Sequence, residues 1–174
     1  MTVIAEEKET ARKIRKYRNL LYIMGSGVTA LGLWNALRTI LMIINTPRML
    51  ITPEMAEASY GDSIVIIGVI FTLVFTAAFL SVYLYVGKKA REVGLGKKKK
   101  PFYIAVIIFL ALVHVFSVIY CILAIAGIVT VETENVLSLI VSMIVDTTAA
   151  VTLVEMCCSA VMLRKYERGN AGNG

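Results

Sequence analysis

The sequence predicts an all-α integral membrane protein, with four transmembrane helices in a bundle and both the N-terminus and the C-terminus cytoplasmic. Three observations carry this expectation. The 174-residue chain is 58% hydrophobic and has a mean hydropathy of +0.78, against about 45–50% apolar residues in an ordinary soluble domain. The apolar residues are gathered into four runs, each long enough for the ~20 residues that a 30 Å hydrocarbon core requires at 1.5 Å per residue. The basic residues are gathered into alternate connections between those runs.

Residues 1–19 form a basic N-terminal segment that holds Lys8, Arg12, Lys13, Arg15, Lys16 and Arg18. The first span follows over about 20–45. It is the least apolar of the four, because Asn35 and Arg38 interrupt it. It is too long for a signal peptide, and no small-residue cleavage site follows its apolar core. The second, third and fourth spans cover about 63–86, 103–126 and 136–163, and a short basic tail occupies 164–174. The transmembrane domain is therefore 20–163, and the whole length is used by one helical unit.

Sixteen of the eighteen Lys and Arg residues fall in 1–19, in 87–101 or in the tail. The other two connections, 46–62 and 127–135, hold only Arg48, against Glu54, Glu57, Asp62, Glu132 and Glu134. A Lys/Arg excess marks cytoplasmic connections, so the termini and the middle connection are expected inside and the two acidic connections outside. The net charge of +6 then reflects topology and does not point to nucleic acid. The basic segments RKIRKYR and GKKKKPFY lie where clustered cations attract anionic lipid headgroups at the cytoplasmic face, at about 1 kcal/mol each. Tyr17, Tyr22, Tyr103 and Tyr166 suit the same interface. The expected setting is the cell membrane, with the lipid bilayer as first partner.

In the first outer connection, Thr52, Pro53 and Glu54 suit the start of a short helix. Cys121, Cys157 and Cys158 all lie in apolar runs, with neither the spacing of a zinc site nor that of a disulfide framework, so no metal and no cofactor is implied. FTAAFLSV (75–82) overlies TTAAVTLV (147–154) at an offset of 72, whereas the first and third spans would need an offset nearer 82. An internal duplication is therefore weakly supported.

The polar residues within the spans carry the functional expectations. A helix advances 100° per residue, so Asp146 and Glu155, nine apart, face opposite sides of the fourth span. Asp146 stands among the small residues Ser142, Ala149, Ala150, Cys157 and Ala160, which allow close helix approach. A charge at the bilayer centre requires a partner. Counted from the inner ends of their spans, Arg38 and Asp146 lie at the same height, about 25 Å. A buried Arg38–Asp146 ion pair is expected, with Asn35 one turn away. Glu155 shares a stripe with Thr148, Thr152 and Ser159. The third span carries His114, Ser117 and Cys121 on one face, and the second carries Thr72, Thr76 and Tyr83. These seams are expected to meet in the interior, with Glu155 near His114 as a proton or cation site. Gly25, Thr29, Gly32 and Ala36 form a small-residue packing stripe on the first span.

Two functions fit this pattern. One is a small proton- or cation-linked transporter or channel-like protein using Glu155, His114, Thr148, Thr152, Ser117 and Thr76. The other is a non-catalytic membrane subunit, or an assembly or scaffold protein, whose polar groups pair with partner helices or with further copies of the chain. No phosphate-binding loop, HExxH or GxSxG occurs, so the sequence points away from an enzyme.

Overall fold

The computed structural model describes residues 2–45, 61–97, 102–128 and 136–171. These residues form four α-helices, α1 (Thr2–Asn45), α2 (Gly61–Gly94), α3 (Phe102–Ile125) and α4 (Val136–Ala171), with no strand among them. Each helix contains a stretch long and apolar enough to cross a membrane. The expected short helix at Thr52–Glu54, and nearly all of both acidic connections, fall outside the described residues.

Three helices run well beyond the spans read from the sequence. The 44 residues of α1 measure about 66 Å, and the 36 residues of α4 about 54 Å, both longer than a bilayer core. Residues 2–19 of the basic segment are thus the first part of α1, and residues 164–171 of the tail continue α4. The extensions pack on each other through polar and aromatic groups. Arg18 Nη2 donates to Glu167 Oε1 at 2.8 Å, the Tyr17 and Tyr166 rings stack at 5.9 Å, and Lys13 Nζ lies 5.7 Å from the centre of the Tyr166 ring.

Two glycines end helices. Gly96 (φ +85°) and Gly127 (φ +72°) occupy the left-handed region, open to a residue without Cβ. The Gly96 and Lys97 amides donate to the carbonyls of Val93 and Glu92, and those of Gly127 and Ile128 to Ala124 and Leu123. Each pair of bonds closes a Schellman cap and satisfies carbonyls that a helix end would leave bare.

The chain divides into two compact units. One comprises residues 1–29 and 85–174, the other residues 30–84. In the first unit, α3 and α4 pack extensively as an antiparallel pair. Their contact residues follow the alternating three- and four-residue spacing of a coiled-coil seam. On α3 these are Tyr103, Ile107, Leu110, His114 and Cys121, all buried. On α4, Leu139, Ser142, Ala149, Leu153, Met156, Ala160 and Leu163 are buried, and Asp146 completes the spacing.

Also in the first unit, α1 meets the end of α2 at Gly25 and Gly87, where the backbones touch. A Cβ built on Gly25 would lie 2.7 Å from the carbonyl oxygen of Gly87, and one on Gly87 would lie 2.6 Å from that of Gly25. The Thr29 hydroxyl, next on the stripe, donates to the Gly25 carbonyl at 3.0 Å. In the second unit, a Cβ on Gly32 would lie 2.5 Å from Cβ of Tyr83, and Ala36 is buried. The small-residue stripe of α1 therefore packs on α2 of the same chain. The rest of α2 in this unit is open, since no residue from Ser63 to Val82 is buried.

Gly87→Ala should lower the stability of the solubilised protein by about 1–3 kcal/mol through overpacking. Gly27→Ala, whose Cβ would meet nothing within 4 Å, should be neutral or raise it by up to ~1 kcal/mol. Thermal unfolding in one detergent checks both, and equal effects would remove the close backbone approach as the cause.

Candidate functional site

The middle of the α3–α4 seam is polar. His114 Nδ1 lies 2.8 Å from Asp146 Oδ1, and Ser117 Oγ donates to Asp146 Oδ2 at 2.6 Å. His114 and Ser117 are three residues apart, so both face α4 from successive turns of α3. Asp146 sits between them and offers one carboxylate oxygen to each. The His114 side chain is 5% exposed and that of Asp146 15%. Apolar packing seals the seam toward the basic side, where Ile107, Leu110 and Leu153 are fully buried.

Position along the helix adds a second fact. His114 lies twelve residues from Phe102 and eleven from Ile125, or about 17–18 Å from either end of α3. If α3 crosses the bilayer, the cluster lies at its middle. An ionised acid there costs about 2.5–3.5 kcal/mol on insertion scales. Two hydrogen bonds at the carboxylate offset part of that cost. Three chemistries follow from the groups themselves. The imidazole can hold a proton at one nitrogen while the other stays hydrogen-bonded. The carboxylate can hold either a proton or a cation. The hydroxyl can serve as donor or as oxygen ligand.

The structure brings three of the predicted residues together in a combination the sequence reading did not contain. His114 and Ser117 stand with Asp146, whereas His114 was expected beside Glu155. The error is one of register. The sequence reading levelled Tyr103 with Leu163. His114 opposite Asp146 instead levels Tyr103 with Cys157, six residues or about 9 Å away. Tyr103 is in fact within electrostatic range of Cys157, Arg164 and Glu167. The cause is the length of α4, which passes its expected inner end without a break. The missed signal was the spacing of three and four through Leu139, Ser142, Asp146, Ala149 and Leu153, which matches that of Ile107, Leu110, His114, Ser117 and Cys121.

The same register sets Glu155 opposite Ala105, three residues or about 5 Å from the start of α3. Glu155 is exposed, and makes no hydrogen bond or ion pair among the described residues. At that depth a long side chain can extend its carboxylate toward the headgroups. Its stripe-mates use their hydroxyls within α4. Thr148 donates to the Ile144 carbonyl and Thr152 to that of Thr148, both at 2.8 Å. Thr76, on α2, likewise donates to the Thr72 carbonyl at 2.7 Å. Arg38 and Asn35 belong to the second unit, where both are half-buried and the Thr39 hydroxyl donates to the Asn35 carbonyl. The cysteines are free thiols, with Cys121 buried, Cys157 intermediate and Cys158 exposed.

No protein-family model, no curated protein and no solved structure matches the chain. The functional reading therefore rests on the residues alone.

A double-mutant cycle of His114→Ala and Asp146→Ala should show coupling. Each single change takes one hydrogen bond from its partner, at about 1–3 kcal/mol. The coupling should exceed the ~0.6 kcal/mol average of polar pairs between membrane helices. Reversible unfolding in mixed micelles measures it, and strict additivity would show that the contact carries no energy.

Proposed function

We propose that this chain is a small multi-pass membrane protein that carries protons or cations across the bilayer, with His114, Asp146 and Ser117 as the site that is loaded and unloaded. The observation that supports this reading is the position of the three groups, bonded between two helices and about 17 Å from either end of α3. Polar and ionisable groups at that depth mark ion and proton pathways far more often than they mark plain packing positions. Taking up one proton changes the charge of the His114–Asp146 pair by one, which changes the attraction between α3 and α4. Both termini face the cytoplasm, as the distribution of Lys and Arg requires.

Glu155, Thr148 and Thr152 take a lesser part than their place in the sequence suggested. Glu155 lies near the basic-side interface, and the two threonine hydroxyls are bonded within α4. Asp146 is the acid whose removal matters.

One observation favours the alternative of a non-catalytic membrane subunit or scaffold. From Ser63 to Val82 no side chain of α2 is buried, and Phe71, Phe75 and Phe79 form a ladder of contacting rings along it. A partner helix or the lipid covers that face.

The deciding measurement is proton and cation flux into liposomes that hold the purified full chain. Asp146→Asn should abolish flux and Glu155→Gln should leave it within about twofold of the parent, since side chains at an interface that touch no transported group shift a barrier by less than ~0.5 kcal/mol. Flux abolished by Glu155→Gln and kept by Asp146→Asn would move the site. No flux with any protein would leave the subunit reading. Photo-crosslinking from positions 71 and 75 in cells tests that reading. Adducts with one defined protein support it, and adducts with lipid alone count against it.

A further inference from the structure

Where α1 enters its apolar run, it shares a shallow open groove of about 340 Å³ with the end of α2, lined by Arg15, Arg18, Asn19, Tyr22, Gly94 and Leu95. We propose that this groove is a binding site for a phosphate-bearing anion, met in the bilayer as the headgroup of an anionic phospholipid.

The four α1 residues recur at i, i+3, i+4 and i+7, so they form one stripe. Two guanidinium groups and one carboxamide lie at the polar end of that stripe, and Tyr22 lies at the apolar end. The floor is bare backbone. A Cβ on Gly94 would lie 2.7 Å from the Arg18 carbonyl oxygen and 2.8 Å from the Tyr22 amide nitrogen, so no side chain can occupy that position. The Schellman cap at Gly96 ends α2 here and leaves Leu95 exposed as the apolar wall.

The cations are only partly used. Arg18 Nη2 is fixed by Glu167 at 2.8 Å, which holds the guanidinium in place. Its Nε is shielded from solvent and has no hydrogen-bond partner among the described residues. Arg15 and Asn19 are exposed and make no hydrogen bond or ion pair among the described residues. Guanidinium donors match phosphate oxygens with two parallel bonds. The groove straddles the edge of the apolar run, which starts at Leu20, so it offers cations at headgroup level and Tyr22 with Leu95 at acyl level. A soluble phosphate would use only the first half of that arrangement. A phospholipid uses both. The inference rests on the membrane reading of the helices and stands apart from any transport by the α3–α4 cluster.

Native mass spectrometry of the full chain tests it, with the protein released from bilayers of phosphatidylcholine alone or with phosphatidylglycerol, and separately with inorganic phosphate. Arg15→Gln should lower phosphatidylglycerol retention about fivefold, the equivalent of ~1 kcal/mol for one cation at an anionic surface. Lys88→Gln removes the same charge outside the groove and should change little, and Arg15→Lys should recover part of the loss. Retention of inorganic phosphate that Arg15→Gln removes, without retention of phosphatidylglycerol, would support the site and make its source soluble. Equal losses for Arg15→Gln and Lys88→Gln, or no anionic adduct in either arm, would overturn it. Arg15 makes no bond among the described residues, so its replacement leaves the Arg18–Glu167 pair to hold the helices.

Discussion

A carboxylate between two largely apolar helix faces has to be bonded by the protein, because little water reaches it there. Asp146 imposes that requirement on the first unit. Its two oxygens need donors at one height on a neighbouring helix, and α3 supplies them from His114 and Ser117. That fixes the α3–α4 register. Once those three groups meet, Ile107, Leu110, Leu153 and Met156 fall into the same seam, and the apolar packing on the basic side follows. The polar contact selects the alignment, and the apolar residues hold it. An apolar residue at 146 would allow the two heptad-like faces to slide by a turn, since Leu, Ala and Met at such positions tolerate several registers.

A different device joins α1 to α2. Here small residues let two backbones touch, and attraction comes from dispersion along the contact, with little help from side-chain hydrogen bonds. The Gly25–Gly87 approach and the Gly94 contact with Arg18 and Tyr22 lie on one face of each helix. Before residue 20 on α1 and after residue 163 on α4 most side chains are charged or polar, and a third device takes over. Ion pairs and stacked tyrosines bind the helix extensions, and the Arg18–Glu167 contact, with both side chains 38% exposed, contributes no more than about 1 kcal/mol. One chain thus uses ionic, backbone-contact and polar-seam packing in different places.

The four helices were legible in the sequence because hydropathy and length carry them. The small stripe Gly25, Thr29, Gly32 and Ala36 was legible too, because a glycine in a spanning helix leaves room that something has to fill. What it packs against was not, since spacing describes a face and not its neighbour. The partner of His114 on α4 was misread for a physical reason. Charged residues such as Arg164 and Glu167 do not end a helix, and α4 carries on through them to Ala171. Heights counted from Leu163 therefore began at the wrong level. Counting the seam spacing on both helices, and aligning His114 with Asp146, would have corrected it.

The hairpin of α3 and α4 also bears on how the protein is made. Ribosomes deliver α3 first, so His114 and Ser117 are already in place when Asp146 emerges thirty-two residues after the histidine. A fourth helix that entered the lipid alone would carry an unbonded acid, at about 2.5–3.5 kcal/mol on insertion scales. Entering as the second arm of a hairpin, it would meet its donors on the helix made before it. In a bilayer, the order of His114 before Asp146 along the chain would thus let the third helix serve as a template for insertion of the fourth.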